Sequence, residues 1–95
     1  MAIEVHDLEW SDDGEEHIVR HGVTVSEVNQ VVAGPHVIVR NRRRRSANYL
    51  MVGTTFGGKV LTVAIRRTSK AGTWRVATAY PSTNAQRQVL VDNTR

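Results

Sequence analysis

Two apolar runs on either side of a double glycine form the strongest pattern in this sequence. Residues 49–52 (Tyr-Leu-Met-Val) and 60–65 (Val-Leu-Thr-Val-Ala-Ile) are rich in the β-branched and aromatic residues that favour strands. Gly57 and Gly58 can take the positive φ values of a tight hairpin turn. The stretch therefore predicts an antiparallel β-hairpin over residues 48–65. Neither run alternates strictly, so we expect both faces of the hairpin to be covered.

Two helices are predicted before this hairpin. Ser11 is followed by four closely spaced acidic residues, a pattern typical of a helix start. We expect this helix to end at His21, because a glycine follows it. A second helix is predicted to begin at Thr24, since Thr24 and Glu27 have the spacing of a capping box. Valines recur on one face of this helix, and a Gly-Pro pair ends it.

Two further segments read as strands. Residues 36–40 (His-Val-Ile-Val-Arg) form a short apolar run, and residues 74–80 alternate in a way that is typical of a strand. Strict alternation would place on one face Trp74, Val76, Thr78 and Tyr80. Residues 3–10 alternate only roughly, which fits either a short edge strand or an extended lead-in.

A last helix is predicted after Pro81, with Ser82 or Thr83 as its cap. The elements together predict a single α+β domain over residues 1–95. Its expected architecture is two N-terminal helices, a four-stranded antiparallel meander sheet and a C-terminal helix.

The charge distribution indicates what kind of partner the protein binds. The chain has 13 Lys plus Arg against 9 Asp plus Glu, a formal net charge of +4, and residues 40–87 contain no acidic residue. A basic region of this kind favours a polyanion such as RNA, and an acidic protein partner would also fit it. The sequence has no cysteine, and no apolar run reaches the length of about 20 residues that a membrane-spanning helix requires. We therefore expect a soluble cytoplasmic protein with no membrane partner.

Several short motifs occur in a characteristic order over residues 10–87. They are Trp10 followed by acidic residues, residues 17–23 (His-Ile-Val-Arg-His-Gly-Val) with Glu27-Val28 behind them, residues 49–53 (Tyr-Leu-Met-Val-Gly), the strand 61–63 ending at Arg66, and residues 75–79 (Arg-Val-Ala-Thr-Ala) before a capped helix containing Arg87. In this order and spacing, the sequence resembles the BrnT-type ribonuclease toxins of bacterial type II toxin–antitoxin systems.

The resemblance implies a fold similar to the RelE-like microbial ribonucleases, an RNA-cleaving activity that arrests growth, and a cognate antitoxin protein that inhibits it. For the assembly, a homo-oligomer and a toxin–antitoxin heterotetramer are the alternatives. The resemblance also assigns Arg87 to RNA binding. The chain has Tyr80 and Gln86 where the family often has Arg and Glu.

Metal-free RNA cleavage requires a base near the 2′-hydroxyl, cations at the phosphate and an acid for the leaving 5′-oxygen. His17 and His21 titrate near neutral pH and lie four residues apart on one face of the predicted helix, so either can move a proton. In the alternative reading, His21 caps the helix and His17 packs beside Trp10. The spacing also suits zinc, but no third ligand is evident, so we predict no metal site and no cofactor.

The arginines supply candidate phosphate contacts. Arg66 and Arg75 are expected to face one another across the turn at 68–72 and to converge on one phosphate, with Arg67 beside them as an RNA contact. The alternative is a set of solvated arginines at a sheet end. A run of four consecutive arginines suits phosphate attraction better than proton transfer, and it would otherwise be a solvated loop or an antitoxin-docking surface. The run comprises Arg42, Arg43, Arg44 and Arg45.

Tyr80 precedes a proline at a strand end, so we expect it to line the site, whereas Tyr49 and Trp74 are expected in the core. We predict a metal-independent endoribonuclease. The predicted catalytic set is His17, His21, Arg66, Arg75 and Tyr80. The main alternative is a non-catalytic module of the same fold that binds RNA or protein, with Tyr80 marking the loss of a catalytic arginine. A purely structural interaction domain is a third possibility.

Overall fold

The computed structural model describes residues 3–42 and 47–93, and these residues form an α+β fold. In chain order the elements are β1 (Asp7–Glu9), α1 (Gly14–Val19), α2 (Val25–Ala33), β2 (His36–Arg40), β3 (Tyr49–Thr54), β4 (Val60–Arg67), β5 (Thr73–Pro81) and α3 (Asn84–Asn93). No helix in the described ranges is long and apolar enough to cross a membrane.

The strands form one sheet in the order β1-β5-β4-β3-β2. The predicted hairpin is confirmed, since β3 and β4 pair antiparallel from Tyr49 opposite Ile65 to Thr54 opposite Val60. Gly58 has a φ of 89° in the connecting turn, a conformation that glycine adopts without strain. β2 and β5 add antiparallel to the outer sides of this hairpin.

The predicted four-stranded antiparallel meander is wrong, because the sheet has a fifth strand and is mixed. β1 joins the edge of β5 in parallel, with Leu8 opposite Trp74. The amide of His6 donates to the carbonyl of Gly72 at 2.9 Å, and the Trp74 indole Nε1 donates to the carbonyl of Glu4 at 3.0 Å. These bonds join residues 4–6 to residues 72–74, more than 60 positions later in the chain. The local pattern of residues 3–10 therefore allowed an extended segment but carried no information on its partner.

Alternation along β4 assigns its residues to two sheet faces, and both are covered. The first, which we call the core face, packs against α1 and α2 through fully buried residues that include Ile18, Val28, Val31, Leu61, Val63 and Ile65. The second, which we call the α3 face, carries Thr62, whose hydroxyl bonds to Gln86 of α3 at 2.9 Å. The expectation that both faces of the hairpin are covered is confirmed.

The first helix is shorter than the predicted span from Ser11 to His21. The amide of Gly14 donates to the Ser11 carbonyl at 3.0 Å, so residues 11–14 form a turn and the helix begins at its end. The Ser11 hydroxyl donates to the carboxylate of Asp13 at 3.2 Å instead of capping the helix. The predicted glycine stop is confirmed, since Gly22 has a φ of 76°.

The caps predicted for the other two helices are confirmed. In α2, the amide of Glu27 donates to the Thr24 hydroxyl and the amide of Thr24 donates to the Glu27 carboxylate, both at 3.1 Å. In α3, the amide of Gln86 donates to the Thr83 hydroxyl at 3.2 Å, and the amide of Thr83 donates to the Gln86 side-chain oxygen at 2.8 Å. Each pair satisfies two amides that the first helical turn leaves without partners.

Candidate functional site

A β-bulge decides which side chains of β5 share a face. Ile65 pairs with Val76 while Ala64 pairs with Thr78, so Ala77 is an extra residue without a partner in β4. The predicted single face of Trp74, Val76, Thr78 and Tyr80 is therefore wrong. Trp74, Val76 and Ala79 are buried on the core face. Thr78 and Tyr80 instead lie on the α3 face, because their partners in β4 are Ala64 and Thr62. Arg75 lies on the same face.

The histidine pair lies at the end of α1, which packs beside β5. Ile18 is fully buried and packs the helix against the core. His17 and His21, which precede and follow Ile18 in the sequence, are both exposed. Their ring centroids are 5.5 Å apart with an interplanar angle of 74°. The pair is therefore accessible to a ligand and close enough for both rings to contact one group.

Tyr80 extends this pair onto the sheet. Its ring centroid lies 6.4 Å from that of His21 in an edge-on arrangement. The Gln86 amide nitrogen donates to the Tyr80 hydroxyl at 3.1 Å, and the Gln86 side-chain oxygen accepts from Thr62 at 2.9 Å. Thr62 is in turn 2.8 Å from the hydroxyl of Ser82. We call Thr62, Ser82, Gln86 and Tyr80 the hydroxyl–amide network. It holds the phenol at a fixed place beside His21.

The arginine prediction is confirmed as far as strand register is concerned. Arg66 and Arg75 are direct cross-strand partners, and Glu9 is the partner of Arg75 on the other side. The three side chains form a row across β1, β5 and β4. Arg75 Nη2 donates to the Glu9 carboxylate at 2.9 Å, and both side chains are exposed. Within the described ranges, no carboxylate lies at ion-pair distance from the Arg66 guanidinium.

The arginine row and the histidine–tyrosine group occupy different parts of β5. Tyr80 is five positions after Arg75, which corresponds to roughly 15 Å along an extended strand. The bulge and the length of the arginine side chain shorten the distance between the two groups. Thr78 lies between them, and its buried hydroxyl has no hydrogen-bond partner among the described residues. This hydroxyl is an exception among buried polar atoms, which normally have a partner. An extended ligand along this face would contact Arg66 and Arg75 at one end and Tyr80 and His21 at the other.

The other predicted RNA contacts are placed elsewhere. Arg67 lies across the sheet from Arg66, with its guanidinium carbon 5.4 Å from the Tyr49 ring centroid and 5.5 Å from that of Trp74. It also donates to the Tyr49 hydroxyl at 3.0 Å. Arg42 is exposed after β2. Arg87 is exposed on α3, directly after Gln86. Three residues of the predicted arginine run lie outside the described residues, namely Arg43, Arg44 and Arg45.

Sequence reasoning missed the hydroxyl–amide network and the row position of Glu9. A threonine inside the apolar run 60–65 was a signal for a buried hydroxyl, but its partners in α3 depend on how that helix packs. In the described part of the chain, no group of three or more His, Asp or Glu residues is arranged to hold a metal ion. No protein-family model matches the sequence. A comparison with curated proteins finds no significant match either.

Proposed function

We propose that this chain is a metal-independent endoribonuclease of the BrnT toxin type, inhibited by a cognate antitoxin. The observation that carries the proposal is the contact between the exposed His21 and Tyr80 on the sheet face that also carries Arg66 and Arg75. The site thus offers imidazole groups that can accept or donate a proton on the face that carries a cationic strip for an anionic chain. Both are needed to cleave RNA with side chains alone.

The roles follow from the chemistry of phosphodiester cleavage. One histidine takes the proton of the 2′-hydroxyl as its oxygen attacks phosphorus, and the other gives a proton to the departing 5′-oxygen. The products are a 2′,3′-cyclic phosphate and a 5′-hydroxyl. The Tyr80 hydroxyl, held by Gln86, donates to a non-bridging phosphate oxygen. The arginine row binds the phosphate backbone through guanidinium N–H groups, and Arg75 is the member of the row that stabilises the charge developing on the phosphate in the transition state.

A non-catalytic RNA-binding module is the second candidate. The observation that favours it is the ion pair of Arg75 with Glu9 at 2.9 Å, which engages the arginine assigned to catalysis and leaves Arg66 as the cation of the row that can bind RNA. In such a module the histidines and Tyr80 would contribute contacts to the RNA but no proton transfer.

Single-turnover cleavage at saturating protein separates the two candidates. We expect His21→Ala and Arg75→Ala each to lower the cleavage rate about a hundredfold, the effect typical of losing one preorganised catalytic group. Arg75→Lys should restore only part of it, because an ammonium lacks the guanidinium fork. Loss of His21 should also alter the pH profile near neutrality. Arg40→Ala is the matched control, since Arg40 is exposed at the end of β2, away from these groups.

Thermal midpoints of all variants show whether each remains folded. Activity should be unchanged by EDTA. If the folded variants cleave at the parent rate, or if the parent cleaves no RNA, the catalytic proposal is wrong and the binding module replaces it.

A further inference from the structure

A cleft of about 320 Å³ lies at the end of the sheet where β4 begins and β5 ends. It is lined by Gly22, Gly58, Lys59, Val60, Leu61, Pro81 and Arg87. Three of these residues each directly follow a member of the candidate site: Gly22 follows His21, Pro81 follows Tyr80, and Arg87 follows Gln86. The cleft is therefore the direct neighbour of the histidine–tyrosine group.

Bare backbone forms two walls of the cleft. Gly22 and Gly58 have φ values of 76° and 89°, and a Cβ added to either would meet no atom within 4 Å. Val60 and Pro81 supply apolar surface between them. Backbone without side chains and small apolar side chains suit the faces of a planar ring. The amides of Gly22 and Gly58 donate to the carbonyls of Val19 and Thr55 at 2.9 and 3.0 Å, so backbone hydrogen bonds to the edge of the ring would be made by carbonyl oxygens.

Two cations lie at the cleft, and they differ in their partners. Lys59 Nζ is 3.0 Å from the carboxylate of Glu27. No described carboxylate lies within ion-pair distance of the Arg87 guanidinium. Arg87 is therefore the cation available to an incoming anion. A guanidinium binds two oxygens of a phosphate at once.

We propose that this cleft is a nucleotide subsite, which holds the base of one ribonucleotide between the two glycines and its phosphate on Arg87. The inference rests on the proposed function, since the subsite would hold the nucleotide next to the bond that is cleaved. It adds residues to the substrate site that the resemblance does not supply, namely Gly22, Gly58, Lys59 and Pro81.

Nuclear magnetic resonance of the ¹⁵N-labelled full chain tests the subsite without any need for cleavage. Each of the four ribonucleoside 5′-monophosphates is titrated, with inorganic phosphate as the parallel probe. We expect at least one nucleotide to shift the amide signals of Gly22 and Gly58 and the Nε–Hε signal of Arg87. Inorganic phosphate should shift Arg87 and leave the two glycine signals in place, because it has no base to enter the cleft.

Arg87→Gln should weaken nucleotide binding about tenfold, the typical effect of one lost charge-assisted contact. The control Arg40→Gln removes the same charge from an exposed position at the end of β2 and should change the affinity less than twofold. Thermal midpoints confirm that both variants are folded. The subsite is overturned if no nucleotide moves the glycine signals, or if phosphate alone moves them equally.

The two proposals fail in different ways. Nucleotide-dependent glycine shifts in a chain that cleaves no RNA would support the nucleotide site and contradict the catalytic proposal. Cleavage that depends on His21 and Arg75, together with unmoved signals of Gly22 and Gly58, would support catalysis and contradict the subsite.

Discussion

Replacing Thr62 with valine tests whether the hydroxyl–amide network stabilises the fold. Thr62 is 0% exposed, and its hydroxyl is 2.8 Å from that of Ser82 and 2.9 Å from the Gln86 side-chain oxygen. Valine has nearly the same shape but no hydroxyl. The Gln86 oxygen would keep its bond from the Thr83 amide at 2.8 Å. The buried Ser82 hydroxyl would lose its partner.

The expected loss of stability follows from these contacts. One hydrogen bond contributes about 1 kcal/mol, and a buried hydroxyl left without a partner costs about 1–3 kcal/mol. We therefore expect Thr62→Val to lower the free energy of unfolding by about 2–4 kcal/mol. Thr62→Ser keeps the hydroxyl and loses one methyl group, a change of about 1 kcal/mol. For a domain of this size, each kcal/mol lowers the thermal midpoint by roughly 4–8 °C.

Urea unfolding of Thr62→Val, Thr62→Ser, Ser82→Ala and the double variant Thr62→Val with Ser82→Ala completes the test. The double variant should lose less stability than the two single changes added together, because Ser82→Ala removes the hydroxyl that valine leaves unpaired. If Thr62→Ser destabilises as much as Thr62→Val, the site is held by packing and the network reasoning is refuted.

Two further predictions concern the rest of the fold. Hydrogen bonding to Lys59 and to the Thr24 amide holds the pKa of Glu27 below its ordinary value. The ionised Glu27 carboxylate therefore stabilises the fold above the unfolded-state pKa of about 4.3, and this stabilisation is lost as the pH falls through the lower folded-state pKa. Glu27→Gln should therefore reduce stability at pH 7 and flatten the acid limb of a plot of stability against pH; an unchanged acid limb would contradict this. A Cβ at Gly53 would lie 2.8 Å from Val31 Cγ1, so Gly53→Ala should cost about 1–3 kcal/mol in urea unfolding through overpacking. The control Gly57→Ala, whose Cβ would meet only the Thr55 hydroxyl at 3.9 Å, should change stability by less than about 0.5 kcal/mol, and equal effects would contradict the close packing of α2 on β3.

Features confined to a few neighbouring residues were predictable from the sequence. The hairpin over residues 48–65, the capping box of Thr24 with Glu27 and the helix stop at Gly22 are all present. The capping box depends on hydrogen bonds between residues three positions apart, and the helix stop and the hairpin turn depend on the φ preference of glycine. The hairpin strands follow one another directly, so the turn between them fixes which segments pair. The i, i+4 spacing of His17 and His21 likewise predicted that the two rings would lie close together, as they do.

Tertiary structure decided the features that depend on which segments meet. The partner of β1 was not encoded in the alternation of residues 3–10, because its hydrogen bonds go to β5 and to the turn before it, more than 60 residues away. The extra residue Ala77 reversed the faces of everything after it in β5, since side chains alternate with a period of two and one added residue shifts them all. That shift brought Tyr80 onto the face of Arg75, so the histidine–tyrosine group and the arginine row share one sheet face. The chemistry of each group belonged to the sequence, whereas their common face required the pairing of β4 with β5.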